Sequence, residues 1–288
     1  MSDIAFALGI PHAKYRPERQ IALGRLMDAL NVHHPSQEEW NVAAHLKVFD
    51  RKCPYWEWSS EMWHWQLETG ASHCLTLQDD VMPMAGFWGV VEAMVTAVPD
   101  QVLALETVHP AAMHYAREGI GHWLRSWDGL IGVQYVIPRA LMAEFLDWRT
   151  WNLRRDAVCY ITEDALLDCW LIDTGRRAWH PVPAIASHDV GIPSTNQGFD
   201  KHPFRNVSVK WSDGANCAKA DGSPGWTVEQ MATPDFWRVT EAPANMGRFY
   251  SATHSLALQW VTSFTEEKWR ACDAARPPMR FAKWMSGV

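Results

Sequence analysis

The sequence predicts an α/β protein with a mostly parallel sheet covered by helices on both faces. Short apolar runs at 4–10, 45–50, 73–78 and 101–108 alternate with longer stretches of helical spacing. Three of these runs end in Pro11, Asp50 and the pair Asp79 and Asp80, residues that close a strand rather than extend it. At 288 residues the chain is long enough to bury a sizeable core.

In order, "IAFALGI" is the first strand, stopped by Pro11. "PERQIALGRLMDALN" follows as a helix with Ile21, Leu23, Leu26, Met27 and Leu30 as its apolar stripe. "HLKVFD" is the second strand, with Asp50 at its exit. After a loop carrying Pro54, Tyr55, Trp56 and Trp58, "SSEMWHWQLETG" reads as a helix capped by Ser59 or Ser60 and stopped at Gly70. The third strand, 73–78, precedes the helix "GFWGVVEAMVTAVPD", and "QVLALETV" is the fourth strand. Residues 129–148 read as a strand broken by Pro138 and then a helix. Thr162 can cap a helix bearing Leu166, Leu167, Trp170 and Leu171, ending at Gly175 with Arg176 and Arg177 beside its last carbonyls. An extended segment then runs to His188. Residues 189–225, rich in Gly, Pro, Ser, Asn and Asp, read as a lid or binding loop, or as disorder. Beyond Trp226 come fragments of amphipathic helix.

Composition narrows the function. A net charge of −7 is a poor overall match to a polyanion, although a local basic groove remains compatible with one. Six scattered cysteines without a C-x-x-C pair favour reduced thiols over disulfides or a zinc site. No apolar stretch approaches the ~20 residues of a membrane span, and no signal-peptide pattern opens the chain, so a cytoplasmic protein is expected. Eighteen tryptophans serve either as core filling or as flat platforms for sugars and bases.

The stretch "HCLTLQDDVMP" poses the sharpest question. Adjacent carboxylates repel and resist burial, so solvent, a positive side chain, a helix N-terminus or a cation must compensate Asp79 and Asp80. A strand-end acidic pair opposite a phosphate-holding loop suits Mg²⁺ or Mn²⁺, which shares its remaining positions among water and phosphate oxygens. Glu163 and Asp164 open a helix, where the macrodipole alone would favour them. His188 lies at the end of the extended segment.

The order of these motifs resembles the GT-A glycosyltransferases, Rossmann-like enzymes that use nucleotide-sugar donors. More closely, "ALGIPHAKYRPER", "WSSEMWHW", "HCLTLQDDVMP", "ITEDALL" and "AIASHD" resemble glycosyltransferase-like proteins of bacteria and their phages, related to lipopolysaccharide glycosyltransferases. The resemblance covers roughly residues 4–210 and implies a catalytic domain over 1–210, with 211–288 as an irregular or helical extension, a lid or an acceptor-side subdomain. It implies a D-x-D motif in which Gln78 stands where the ribose-binding acid is expected, Asp79 lies between, and Asp80 takes the metal position. It further matches Glu163 and Asp164 to an acidic pair, with Asp164 as the base that activates the acceptor, and His188 to a metal-binding histidine. Pro11, Arg16, Arg19 and Asp50 would line the nucleotide, Trp56 or Trp58 would stack on donor or acceptor, and His202, Arg205 or Lys210 would neutralise the diphosphate from the loop.

The expected function is therefore a metal-dependent transfer of a sugar, from a UDP-sugar by preference, to a hydroxyl on a glycan, lipopolysaccharide or modified phage DNA base. The cofactor would be Mn²⁺ or Mg²⁺. A nucleotidyltransferase and a non-catalytic, tryptophan-rich carbohydrate-binding protein are the rival expectations. The absence of G-x-x-x-x-G-K argues against a P-loop enzyme.

Overall fold

The computed structural model describes residues 4–32, 43–50, 55–106, 122–126, 134–152, 163–189, 192, 226–240 and 244–245. The elements alternate as the apolar runs predict: β1 (Ala5–Pro11), α1 (Pro17–Val32), β2 (Ala43–Phe49), α2 (Tyr55–Glu68), β3 (His73–Thr76), β4 (Val81–Pro83), α3 (Phe87–Ala97) and β5 (Val102–Ala104). They continue as β6 (Trp123–Ser126), β7 (Tyr135–Pro138), α4 (Arg139–Asn152), α5 (Glu163–Asp173), β8 (Ala178–Pro181) and β9 (Ala186–His188). Two short helices, α6 (Val228–Met231) and α7 (Pro234–Trp237), and β10 (Ala244–Asn245) close the described chain.

Among the described residues, eight strands form one sheet in the order β10-β6-β8-β5-β7-β3-β1-β2, and β4 and β9 form a separate two-stranded ribbon. The main sheet is mixed: β1 is parallel to β2 and β3, β5 to β8, and β10 to β6, whereas β7 runs antiparallel between β3 and β5 and β6 runs antiparallel to β8. β1 is flanked by β2 on one side and β3 on the other, so the chain leaves these strands in opposite directions. The crevice between the carboxyl ends of β1 and β3 is thus a topological switch point, where open α/β sheets bind ligands.

The period-two alternation of β1 and β3 divides the core. Phe6, Leu8, Ile10 and Leu75 face a cluster with Leu26 and Leu30 of α1 and the apolar side of α3. Cys74 faces the opposite cluster, with Trp63 of α2, Phe145 of α4 and Leu166 and Trp170 of α5. Trp63, Trp88, Trp170 and Trp237 are fully buried, so these four fill the core. Gln66 of α2 ties the central strands together, its amide donating to the carbonyls of Ala7 and Leu75 at 3.1 and 2.8 Å. Trp226, Met231 and Trp237 pack into the α3 cluster, and β10 extends the main sheet, so the described part of residues 211–288 belongs to the same core.

Several local readings change. α2 begins at Tyr55, which places Ser59 and Ser60 inside the helix instead of at its cap, and puts Trp56 and Trp58 in its first turns. Trp58 is buried in the α2 cluster, and the side chain of Trp56 lies outside the described residues. In α1, Ile21 is exposed, and the inward stripe is Arg19, Ala22, Leu26 and Leu30. That i, i+3, i+7, i+11 spacing aims an arginine at the sheet one turn ahead of the apolar contacts. Among the described residues, no helix is long and apolar enough to cross a membrane.

Candidate active site at the carboxyl edge of the sheet

Beyond β3 the chain makes a tight turn, the Val81 amide donating to the Gln78 carbonyl at 3.2 Å, with Asp79 and Asp80 at its two central positions. Both aspartates are buried, Asp79 fully and Asp80 to 3% exposure. The compensating charge is Arg19, itself 5% exposed. Its guanidinium meets Asp79 Oδ1 at 2.5 Å with one nitrogen and pairs with Asp80 Oδ2 through the other. Such a planar fork can serve two carboxylates at once, which a lysine cannot.

Asp79 also accepts a hydrogen bond from the Ala13 amide at 3.0 Å, and its Oδ2 lies 2.8 Å from His12 Nδ1. This carboxylate therefore links the exit of β1 to the exit of β3 across the switch point. Burial pushes the Asp79 carboxyl up, against the opposing pull of Arg19, Ala13 and His12. Asp79, which stands between the ribose and metal positions of the motif, and Arg19, expected beside the nucleotide, pair with each other, and Asp79 also bonds the loop after β1. At the neighbouring strand exit, the His12 amide donates to the Phe49 carbonyl, and Asp50 is exposed and paired with Lys14 at 3.1 Å. Pro11 ends β1, and Arg16 lies 3.6 Å from Glu18 at the start of α1.

His188 reaches the same edge from the other end of the sequence. β9 pairs antiparallel with β4, Val81 opposite His188, and the Asp189 amide donates to the Asp80 carbonyl at 2.7 Å. The Ile185 and Ala186 amides donate to the Leu105 carbonyl, which anchors this ribbon to the exit of β5. The His188 ring is buried between three side chains: Nδ1 lies 2.7 Å from Glu106 Oε2, Nε2 lies 3.0 Å from Gln78 Oε1, and the Gln134 amide donates to Glu106 at 3.0 Å. With Glu106 ionised, Nδ1–H donates to it. A lone pair on Nε2 then requires the Gln78 amide to be turned so that its nitrogen, not its oxygen, faces the ring.

Glu106 and Gln134 escaped the sequence reading. Glu106 stands just past β5 and Gln134 just before β7, and only the insertion of β7 between β3 and β5 brings them to His188.

Glu163 and Asp164 open α5. Their side chains lie outside the described residues, as do Arg205, His202 and Lys210. The turn after α5, at Gly175 to Arg177, lines a cleft with Asp100 to Val102 at the amino end of β5. α5 therefore ends near the amino edge, and its 11 residues rise about 16 Å along their axis.

The donors present suit an open divalent-cation site. Asp80 Oδ1 is buried and accepts no hydrogen bond from the described residues. A histidine whose far nitrogen is bound to a carboxylate is the usual oriented metal ligand. Among the described residues, no group of three His, Cys, Asp or Glu forms a closed cage. A cation that completes its shell with water and substrate phosphate needs only one or two protein ligands. No protein-family model and no curated protein sequence matches this chain.

Proposed function

We propose that the chain is a metal-dependent glycosyltransferase that moves a sugar from a nucleoside-diphosphate donor, a UDP-sugar by preference, to a hydroxyl acceptor, a glycan in preference to DNA. The observation that supports this reading is the ladder between β4 and β9, which sets Val81 opposite His188 and bonds the Asp189 amide to the Asp80 carbonyl, so that the backbones of Asp80 and His188 lie close together beyond the exit of β3. Mn²⁺ or Mg²⁺ would be held by Asp80 Oδ1 and, once the Gln78 amide gives up its place beside that nitrogen, by His188 Nε2, and would there stabilise the negative charge that develops on a departing diphosphate.

The chain's own groups have separate tasks. Arg19 holds the turn that presents Asp80, and Glu106 orients His188. Gln78, half-buried against His188, can offer its amide to a ribose hydroxyl without adding charge. Asp50, exposed at the exit of β2, stands at the rim where the nucleoside enters. Asp164, with Glu163 beside it, would take the proton from the acceptor hydroxyl as the new bond forms.

The test is a screen of nucleotide sugars for metal-dependent release of nucleoside diphosphate, with His188→Ala as control. Release from a UDP-sugar that requires Mn²⁺ or Mg²⁺ and is lost in the variant supports the reading. Pyrophosphate release from a nucleoside triphosphate would instead make the protein a nucleotidyltransferase. Glycan binding without metal or nucleotide, unaffected by Asp80→Ala, would make it a carbohydrate-binding protein.

A further inference from the structure

The opposite, amino edge of the sheet carries a cleft of about 530 Å³ lined by Asp100, Leu141, Arg125, Arg176, Arg177 and Trp179, among others. Its size falls in the range of small-molecule sites. Among the described residues of this lining, three guanidinium groups meet one carboxylate, in a chain whose net charge is −7. Arg176 and Arg177 follow α5, where cations complement the carbonyls of a helix end. Arg125 has no such explanation, because it comes from β6, opposite Trp179 of β8 in the ladder.

The Nε–H groups of Arg125 and Arg176 are both buried and find no acceptor among the described residues. Buried donors are rarely left so, and an oxygen-rich ligand is what their geometry lacks. Arg176 is already fixed in place: its Nη2 donates to Glu144 at 2.8 Å, and its guanidinium lies 5.7 Å from the Trp170 ring centre. Trp179 adds a flat wall, held edge-on against Trp123 at 5.6 Å.

We propose that this arginine-lined cleft binds the phosphate group of a small phosphorylated molecule, at a site separate from the carboxyl-edge crevice. Guanidinium forks match phosphate oxygens in pairs, and Trp179 offers a face to whatever ring carries the phosphate. The site requires no metal.

Isothermal titration of the full chain with inorganic pyrophosphate, at low salt and in the presence of EDTA, tests this. The expected result is one bound pyrophosphate whose affinity falls about tenfold or more in Arg125→Gln and in Arg177→Gln, and falls with added salt. His188→Ala should bind as the wild type does. Arg177, in the turn before β8, keeps the test decisive if Arg125→Gln does not fold. The proposal is overturned if the wild type binds no pyrophosphate, or if both arginine variants bind it unchanged. It is equally overturned if His188→Ala loses binding that the arginine variants keep, because the anion then sits at the carboxyl edge.

Discussion

Glu106 holds the His188 imidazole at Nδ1, at 2.7 Å, from a position 82 residues earlier in the chain. Replacing Glu106 by Gln keeps the shape and removes the carboxylate that orients the ring. Under the proposed function, Mn²⁺ affinity should fall about tenfold or more while the fold persists, as read by metal titration alongside circular dichroism. Unchanged affinity would mean that Glu106 serves only packing.

Arg19 is the counter-charge for two buried aspartates. Arg19→Gln leaves them uncompensated and should lower the unfolding free energy by about 3–5 kcal/mol in a denaturant titration. Arg19→Lys should recover only part of this, because an ammonium cannot bridge two carboxylates as a fork does.

Gly9 lies where α2 crosses β1. A Cβ there would stand 2.5 Å from Met62 Cγ and 3.2 Å from the Gln66 amide nitrogen. The methionine can move, but the glutamine is fixed by its bonds to β1 and β3. Gly9→Ala should therefore cost about 1–3 kcal/mol, measured by the shift in denaturation midpoint.

Burial holds the His73 ring below its ordinary pKa of 6.5, the Pro99 carbonyl opposing this only in part. A base with a depressed folded pKa binds more protons when unfolded, so stability rises with pH through this window. Unfolding free energy should decline as pH drops below 6.5, and His73→Gln should make that decline shallower. Equal slopes in both proteins would assign the decline to other groups.

Cys74 sits on the buried face of β3, and burial pushes its thiol up to about 12. Thiolate is the reactive form, so Cys74 should resist alkylation in the folded protein and react once denaturant unfolds it. Mass spectrometry of its peptide reads the difference directly.

The fold was legible where apolar runs were long and their stops were chemical. Pro11, Gly70, Pro138 and Gly175 each mark a boundary close to the one observed. The start of α2 was not, because the aromatic run Tyr55, Trp56 and Trp58 looked like a loop while Ser59 looked like a cap. Asp80 and His188 stood out as strand-end residues, and the β4/β9 ladder brings their backbones together. That Arg19 lies on the inward face of α1 beside Asp79 and Asp80 is not legible, because a charge within a helical pattern does not reveal which face carries it. Glu106 looked like any acid leaving a strand. Its role depends on the sheet order, set by which strands pair across the whole chain, and no local pattern encodes that.

Under the proposed function, Asp80 and His188 together hold a divalent cation beyond the exit of β3. Electron-spin-echo spectroscopy of Mn²⁺ added to the protein with UDP tests it most directly, since a coordinated imidazole imprints nitrogen couplings on the manganese signal. The account predicts such couplings in the wild type and their loss in His188→Ala, with Mn²⁺ binding abolished in Asp80→Asn. Bound Mn²⁺ without nitrogen couplings, or with couplings that survive in His188→Ala, would contradict it.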